Sequence, residues 1–163
     1  MKPSSSFTFL SHWIKGVLAL LSVLMPLLIC APSYAEPDAV VYTLPDESKV
    51  PSGPEGDGIR LGKALLTDTR RKLPQHVGNG LNCSNCHLGA GTQPHASPWV
   101  GLIGAFPEYR ARSGKLISLQ ERVNDCFERS MNGKALAFDS VEMNAILSYM
   151  RWLSADMAPG KPI

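Results

Sequence analysis

The chain has 163 residues with 16 basic and 14 acidic side chains, enough for one ordinary domain and too few for two of the usual size. A formal net charge of +2 gives no electrostatic footprint for nucleic acid or an anionic membrane, so neither is expected as a partner. The N-terminal 35 residues hold Lys2 and Lys15 but no acid, then an apolar run from Gly16 to Cys30, then small residues at Ala31, Ser33 and Ala35. That order predicts a signal peptide at 1–35, cleaved after Ala35. A retained membrane anchor facing the periplasm is the alternative, but the apolar run contains Pro26 and is shorter than the ~20 residues a span needs. No stable span is expected after processing. Cys30 is also a poor lipid-attachment site, because the bulky Ile29 precedes it.

Removal of 35 of the 163 residues leaves 128, with basic and acidic residues balanced. Residues 36–57 contain Pro37, Pro45, Pro51 and Pro54 among several glycines, which predicts a flexible arm, with the folded domain over 58–158. From Gly58 to Arg71, the spacing of Ile59, Ala64, Leu65 and Leu66 predicts an amphipathic helix that Pro74 ends. Residues 89–98 are loop by composition. A second helix is predicted from Ser118 to Met131, with Leu119, Val123, Cys126 and Phe127 on one side and a stop at Asn132 and Gly133. A last helix starts at Asp139 or Ser140, with Val141, Ala145, Tyr149 and Trp152 as its stripe. Residues 159–163 form a tail marked by Pro159 and Pro162. No strand-like alternation is long enough to matter, so the domain reads as all-α.

Cys83, Ser84, Asn85, Cys86 and His87 form C-x-x-C-H. This spacing lets two thiols add to two haem vinyl groups while the next imidazole reaches the iron from the same face. Other chemistries fit less well. A thioredoxin-like pair needs a strand-to-helix setting, whereas here Gly78, Asn79 and Gly80 precede the motif. A zinc site of Cys83, Cys86, Cys126 and His87 puts two ligands side by side, awkward for one tetrahedral ion. A structural disulfide leaves His87 without a purpose. The motif therefore predicts a cytochrome c fold of about three to five helices around one covalently attached haem c, held by Cys83 and Cys86, with His87 on the iron.

Two sulfurs downstream are candidates for the opposite axial position. The thioether of Met131 would raise the reduction potential, and the thiolate of Cys126 would lower it. Cys126 is the thiol left over once the motif is used. Arg110, Arg112, Lys115, Arg122, Arg129 and Lys134, with Ser130, crowd the same region. They suit an oxyanion beside the haem, or simply a solvated helix face that balances Glu121, Asp125 and Glu128. His76 and His95 read as exposed loop histidines.

The segments Asn79 to His87, Pro98 to Gly101, Phe106 to Arg112, Glu121 to Lys134 and Tyr149 to Leu153 resemble the first haem domain of periplasmic thiosulfate dehydrogenases. The likeness extends from Ile59 to Ser154. It implies a haem with His87 and Cys126 as axial ligands, and Arg112, Arg122 and Ser130 as contacts to a sulfur oxyanion, with Lys134 a further contact. The family carries a second haem domain, whereas this chain has one C-x-x-C-H. The resemblance thus implies a periplasmic electron carrier in thiosulfate oxidation, working with a redox partner such as another c-type cytochrome. The alternatives are a tetrathionate-forming catalytic subunit, in which Cys126, Arg112, Arg122 and Ser130 act on thiosulfate, and a haem-based sensor or binding subunit.

Overall fold

A computed structural model describes residues 43–156. The expected signal peptide, the first residues of the arm and the tail lie outside them. Helix α1 spans Pro54–Thr67. Pro54 sits at a position whose N–H would have no helical partner, and Glu55 and Asp57 place negative charge at the helix's positive end. Its buried stripe includes Ile59, Gly62, Leu65 and Leu66. The helix therefore opens ahead of the expected boundary near residue 58. The end of the arm lies on it: Arg60 donates to the Pro51 carbonyl at 3.2 Å and Lys63 pairs with Glu47. Gly56, which read as part of the arm, is helical here, and its neighbours leave no room for a side chain. A Cβ at Gly56 would meet the Pro51 oxygen at 1.6 Å.

A short helix α2, Thr69–Lys72, follows, and a 3-10 turn at Pro74–His76 leads away from it. Two three-residue strands, β1 (Glu108–Arg110) and β2 (Lys115–Ile117), form an antiparallel hairpin. They are too short for alternation to be visible in sequence.

The expected second helix is two pieces. Helix α3 covers Leu119–Asp125. A π-helical turn covers Cys126–Ser130, in which the Met131 N–H reaches back to the Cys126 carbonyl at 2.9 Å. Ser118 and Glu121 cap α3 reciprocally: the Ser118 hydroxyl accepts from the Glu121 N–H, and the Glu121 carboxylate accepts from the Ser118 N–H. Asn132 then takes a positive φ of 48°, as a helix stop requires.

Helix α4 spans Val141–Leu153, capped by the Ser140 hydroxyl, which accepts from the Met143 N–H. Its buried face is Met143, Ala145, Ile146, Tyr149, Met150 and Leu153. The expected stripe was right at Ala145 and Tyr149 and wrong at Val141, which is exposed. Trp152 is only half-buried and stacks on Tyr149, with ring centroids 5.8 Å apart.

The N- and C-terminal helices cross at backbone contact. A Cβ at Gly62 would lie 2.0 Å from the Ala145 carbonyl oxygen, so only glycine allows this approach. Around the crossing, Leu66, Trp99, Phe127, Met143, Ile146 and Tyr149 are all almost wholly buried. None of the described helices is long and apolar enough to cross a membrane.

Candidate functional site

The C-x-x-C-H segment begins as a 3-10 turn at Cys83–Asn85. Asn82 holds it to α2 by accepting the Arg70 N–H at 2.9 Å, while the Asn85 side chain accepts the Asn82 N–H. The Thr69 hydroxyl is fully buried and accepts the Cys83 N–H at 3.1 Å. Burial pushes the Cys83 thiol up to about 11. Both motif thiols are free of disulfide bonds.

His87 is oriented by its backbone surroundings. Its Nδ1 lies 2.5 Å from the Ser97 carbonyl. A carbonyl only accepts, so Nδ1 must carry the proton and Nε2 keeps the lone pair that a metal needs. Burial holds the imidazole below its ordinary pKa against the pull of that hydrogen bond, and the Arg122 charge lowers it further. The neutral ring is the ligating form. Trp99 lies against it with centroids 4.8 Å apart.

The intervening loop is tightly built. Ala90, His95 and Ser97 all adopt positive φ. Gly91, at φ +77°, has no room for a side chain, since a Cβ would lie 2.0 Å from the Trp99 ring. The Tyr149 hydroxyl donates to the Ala90 carbonyl at 3.0 Å and ties the loop to α4.

A cavity of about 420 Å³ opens beside the motif, lined by Cys83, Cys86 and His87 together with Arg122, Cys126, Ser130 and Met131 from α3 and the π turn. Tertiary folding thus joins both candidate sulfurs to a motif far earlier in the chain. They differ in setting. Met131 is packed into the core, whereas the Cys126 sulfur accepts a hydrogen bond from Arg122 Nη1 at 3.1 Å. Two thiols, an imidazole with its Nε2 lone pair free, an apolar hollow and a second sulfur donor form a donor set that fits a covalently attached haem.

Of the residues expected to touch an oxyanion, Arg122 and Ser130 line the cavity. Arg112 does not; it lies exposed in the turn of the hairpin. Lys134 is also absent from the lining. Arg110, two positions earlier on β1, lines the cavity together with Glu108. Alternation in the strand puts Glu108 and Arg110, both half-buried, on one face and the exposed Tyr109 on the other, whereas Arg112 lies beyond the end of the strand. Glu108 and Arg110 form an ion pair at 2.8 Å. The hydrogen bond and charge of Glu108 hold the guanidinium above its ordinary pKa, with smaller contributions from Asp125 and Cys126.

A helical shell around a C-x-x-C-H segment, with the histidine's coordinating nitrogen left free, defines a cytochrome c domain. Residues 74–158 match the family model described as SoxA/TsdA, cytochrome c domain, and the chain belongs to that family. It is 48% identical over 117 residues to a thiosulfate dehydrogenase of Psychrobacter arcticus, an alignment covering 72% of this chain and 36% of the relative. With a thiosulfate dehydrogenase of Allochromatium vinosum it shares 46% identity over 129 residues, or 77% and 48% of the two chains. Among solved structures it is similar to the thiosulfate dehydrogenase TsdBA from Marichromatium purpuratum. There the TM-score is 0.70 at 33% identity, covering 75% of this chain and 28% of that one. The chain spans less than half the length of each.

Proposed function

We propose that this chain is a periplasmic, one-haem c-type cytochrome that transfers electrons during thiosulfate oxidation. Cys83, Cys86, His87 and Cys126 would hold haem c, which would supply a one-electron acceptor. Export through the signal peptide at 1–35 places attachment outside the cytoplasm. The partner is a second redox protein, such as another c-type cytochrome.

The observation that carries this reading is the Arg122 hydrogen bond to Cys126 within the cavity that Cys83, Cys86 and His87 also line. Arg122 sets positive charge against the sulfur and leaves further N–H donors for an anion. The Ser130 hydroxyl, in the same lining, adds a neutral donor. The Ser97 carbonyl fixes the direction of the His87 ring, which would hold the imidazole steady as a haem ligand.

The guanidinium and hydroxyl donors in the lining also favour a second reading, in which the cavity itself oxidises thiosulfate. Two thiosulfate ions each lose one electron and join through a new sulfur–sulfur bond as tetrathionate. No proton moves, and the two electrons pass singly to the partner. Cations in the wall would offset repulsion between the approaching anions.

Holoprotein from a cytochrome-maturing host should be reduced by thiosulfate, seen as sharpening of its visible absorption bands, and should be reoxidised by a small c-type cytochrome. A protein that exchanges electrons with the small cytochrome but is never reduced by thiosulfate refutes the thiosulfate assignment. Continuous tetrathionate formation with an artificial acceptor, abolished in Arg122→Ala, would establish the second reading.

A further inference from the structure

The helix that carries Cys126 ends in an unusual way, and a distant segment holds that end. Cys126–Ser130 is a π-helical turn, a rare winding that occurs mostly as single turns at functional sites. Its last carbonyls, on Ser130 and Met131, have no partner further along the helix. The loop that leads to the C-x-x-C-H motif supplies both. The Gly78 N–H donates to the Met131 carbonyl at 2.9 Å, and Asn79 Nδ2 donates to the Ser130 carbonyl at 3.0 Å. His76 adds a ring hydrogen bond to the Lys134 carbonyl at 2.9 Å. The two segments meet at backbone contact: a Cβ at Gly78 would lie 1.8 Å from the Asn132 carbonyl oxygen, and one at Gly133 would lie 1.9 Å from that of His76.

Of these ties, the one from Asn79 differs in two ways. It alone reaches the π turn itself, since the others end on Met131 or on residues after it. It also has a second arm: Asn79 Oδ1 accepts the Leu81 N–H at 3.1 Å, just ahead of Cys83. One amide therefore spans from the motif side of the cavity to the Cys126 side. Leu81, Cys83, Cys126, Ser130 and Met131 all line that cavity, and Asn79 is absent from the lining.

We propose that Asn79 is a positioning residue that fixes which sulfur the π turn directs at the motif, Cys126 rather than Met131. This inference rests on the reading of Cys126 as the distal haem ligand and adds what holds it there. The Met131 N–H bonds to the Cys126 carbonyl across the turn, so a change of winding at Ser130 moves one sulfur relative to the other. Asn79 fixes that winding by holding the Ser130 carbonyl. The choice sets the reduction potential, which a thiolate lowers and a thioether raises. Asn79 is exposed, so water takes over its hydrogen bonds when it is lost and little stability depends on it. Water does not restore the direction that the amide imposes.

Electron paramagnetic resonance and redox titration of the holoprotein test this. Wild type decides the underlying reading first: a spectrum without a low-spin thiolate signature removes Cys126 as a ligand, and the role of Asn79 falls with it. Where wild type has that signature, Asn79→Ala should lose part of it to a second species and raise the reduction potential, with an unfolding midpoint close to wild type. Asn79→Asp separates the two arms, because a carboxylate still accepts the Leu81 N–H but has no N–H for Ser130. It should behave as Asn79→Ala does. An Asn79→Asp protein that matches wild type, or an Asn79→Ala protein with unchanged signature and potential, refutes positioning through Ser130 and leaves Cys126 as the ligand. Gly62→Ala, which disturbs the crossing of α1 and α4, controls for general loosening: it should lower the midpoint and keep the wild-type spectrum. If it also yields the second species, the change reports a loosened domain and Asn79 has no positioning role.

Discussion

Two glycines on one helix should respond oppositely to the same substitution. In Gly62→Ala the added carbon would lie 2.0 Å from the Ala145 oxygen, 2.6 Å from the Ala145 carbonyl carbon and 2.9 Å from the Tyr149 Cβ. Two of these atoms are backbone, so no rotamer change relieves the clash, and α1 and α4 must separate by about 1 Å in a close-packed interior. Overpacking of this kind costs roughly 1–3 kcal/mol, and a rigid backbone partner puts Gly62 at the upper end. The better helix propensity of alanine returns about 1 kcal/mol, leaving a net loss of about 2 kcal/mol. At Gly58 the nearest atom to the added carbon is the Ser148 hydroxyl oxygen at 3.8 Å, an ordinary contact. Gly58→Ala should therefore keep the propensity gain and stabilise by about 0.5–1 kcal/mol. For a domain of this size each kcal/mol moves Tm by roughly 4 °C. Thermal unfolding of the holoprotein, followed by circular dichroism at the helical band, should place Gly62→Ala about 10 °C below Gly58→Ala. Equal midpoints would refute the backbone-to-backbone crossing.

Asn124 is buried and both donates to and accepts from the Leu136 backbone, each at 2.9 Å. Asn124→Ala should cost about 2–3 kcal/mol in urea unfolding by leaving two buried backbone groups unpaired, and a loss under 0.5 kcal/mol would argue against this tie. Glu121 is held below its ordinary pKa, chiefly by the Ser118 N–H and then by Lys115. A depressed folded-state value means the contribution is fully present above the ordinary carboxylate range and disappears as pH falls through the folded value. The urea midpoint of Glu121→Gln should hence lie below wild type at pH 7 and converge with it in acid; a constant offset would exclude this capping role. Electron paramagnetic resonance of the oxidised holoprotein should show a low-spin thiolate signature that Cys126→Ser abolishes and Met131→Leu retains. The reverse pattern would assign the axial position to Met131.

Local chemistry made much of this protein legible before folding. C-x-x-C-H is complete within five residues, so the expectation for Cys83, Cys86 and His87 arises from spacing alone. Ser118 and Ser140 mark helix starts for equally local reasons: each hydroxyl accepts an N–H within the next turn, whereas Pro54 read as part of the arm. The apolar periodicity of α4 found Ala145 and Tyr149 of its buried face, missed Met143, Ile146, Met150 and Leu153, and wrongly included Val141. Periodicity says which residues share a face, not how far the partner helix extends along it.

The remainder required contacts between distant segments. Gly56 read as part of the arm but is helical, and at both Gly56 and Gly62 other backbone lies where a side chain would go. The Nδ1 proton of His87 is fixed by Ser97, whose carbonyl is aimed by a loop with three non-glycine residues at positive φ. Arg110 lines the cavity and Arg112 does not because β1 ends at Arg110 and the chain turns away there; a three-residue strand is too short for its end to be read from sequence. Short-range order was therefore readable along the chain, while the makeup of the cavity was decided by long-range packing.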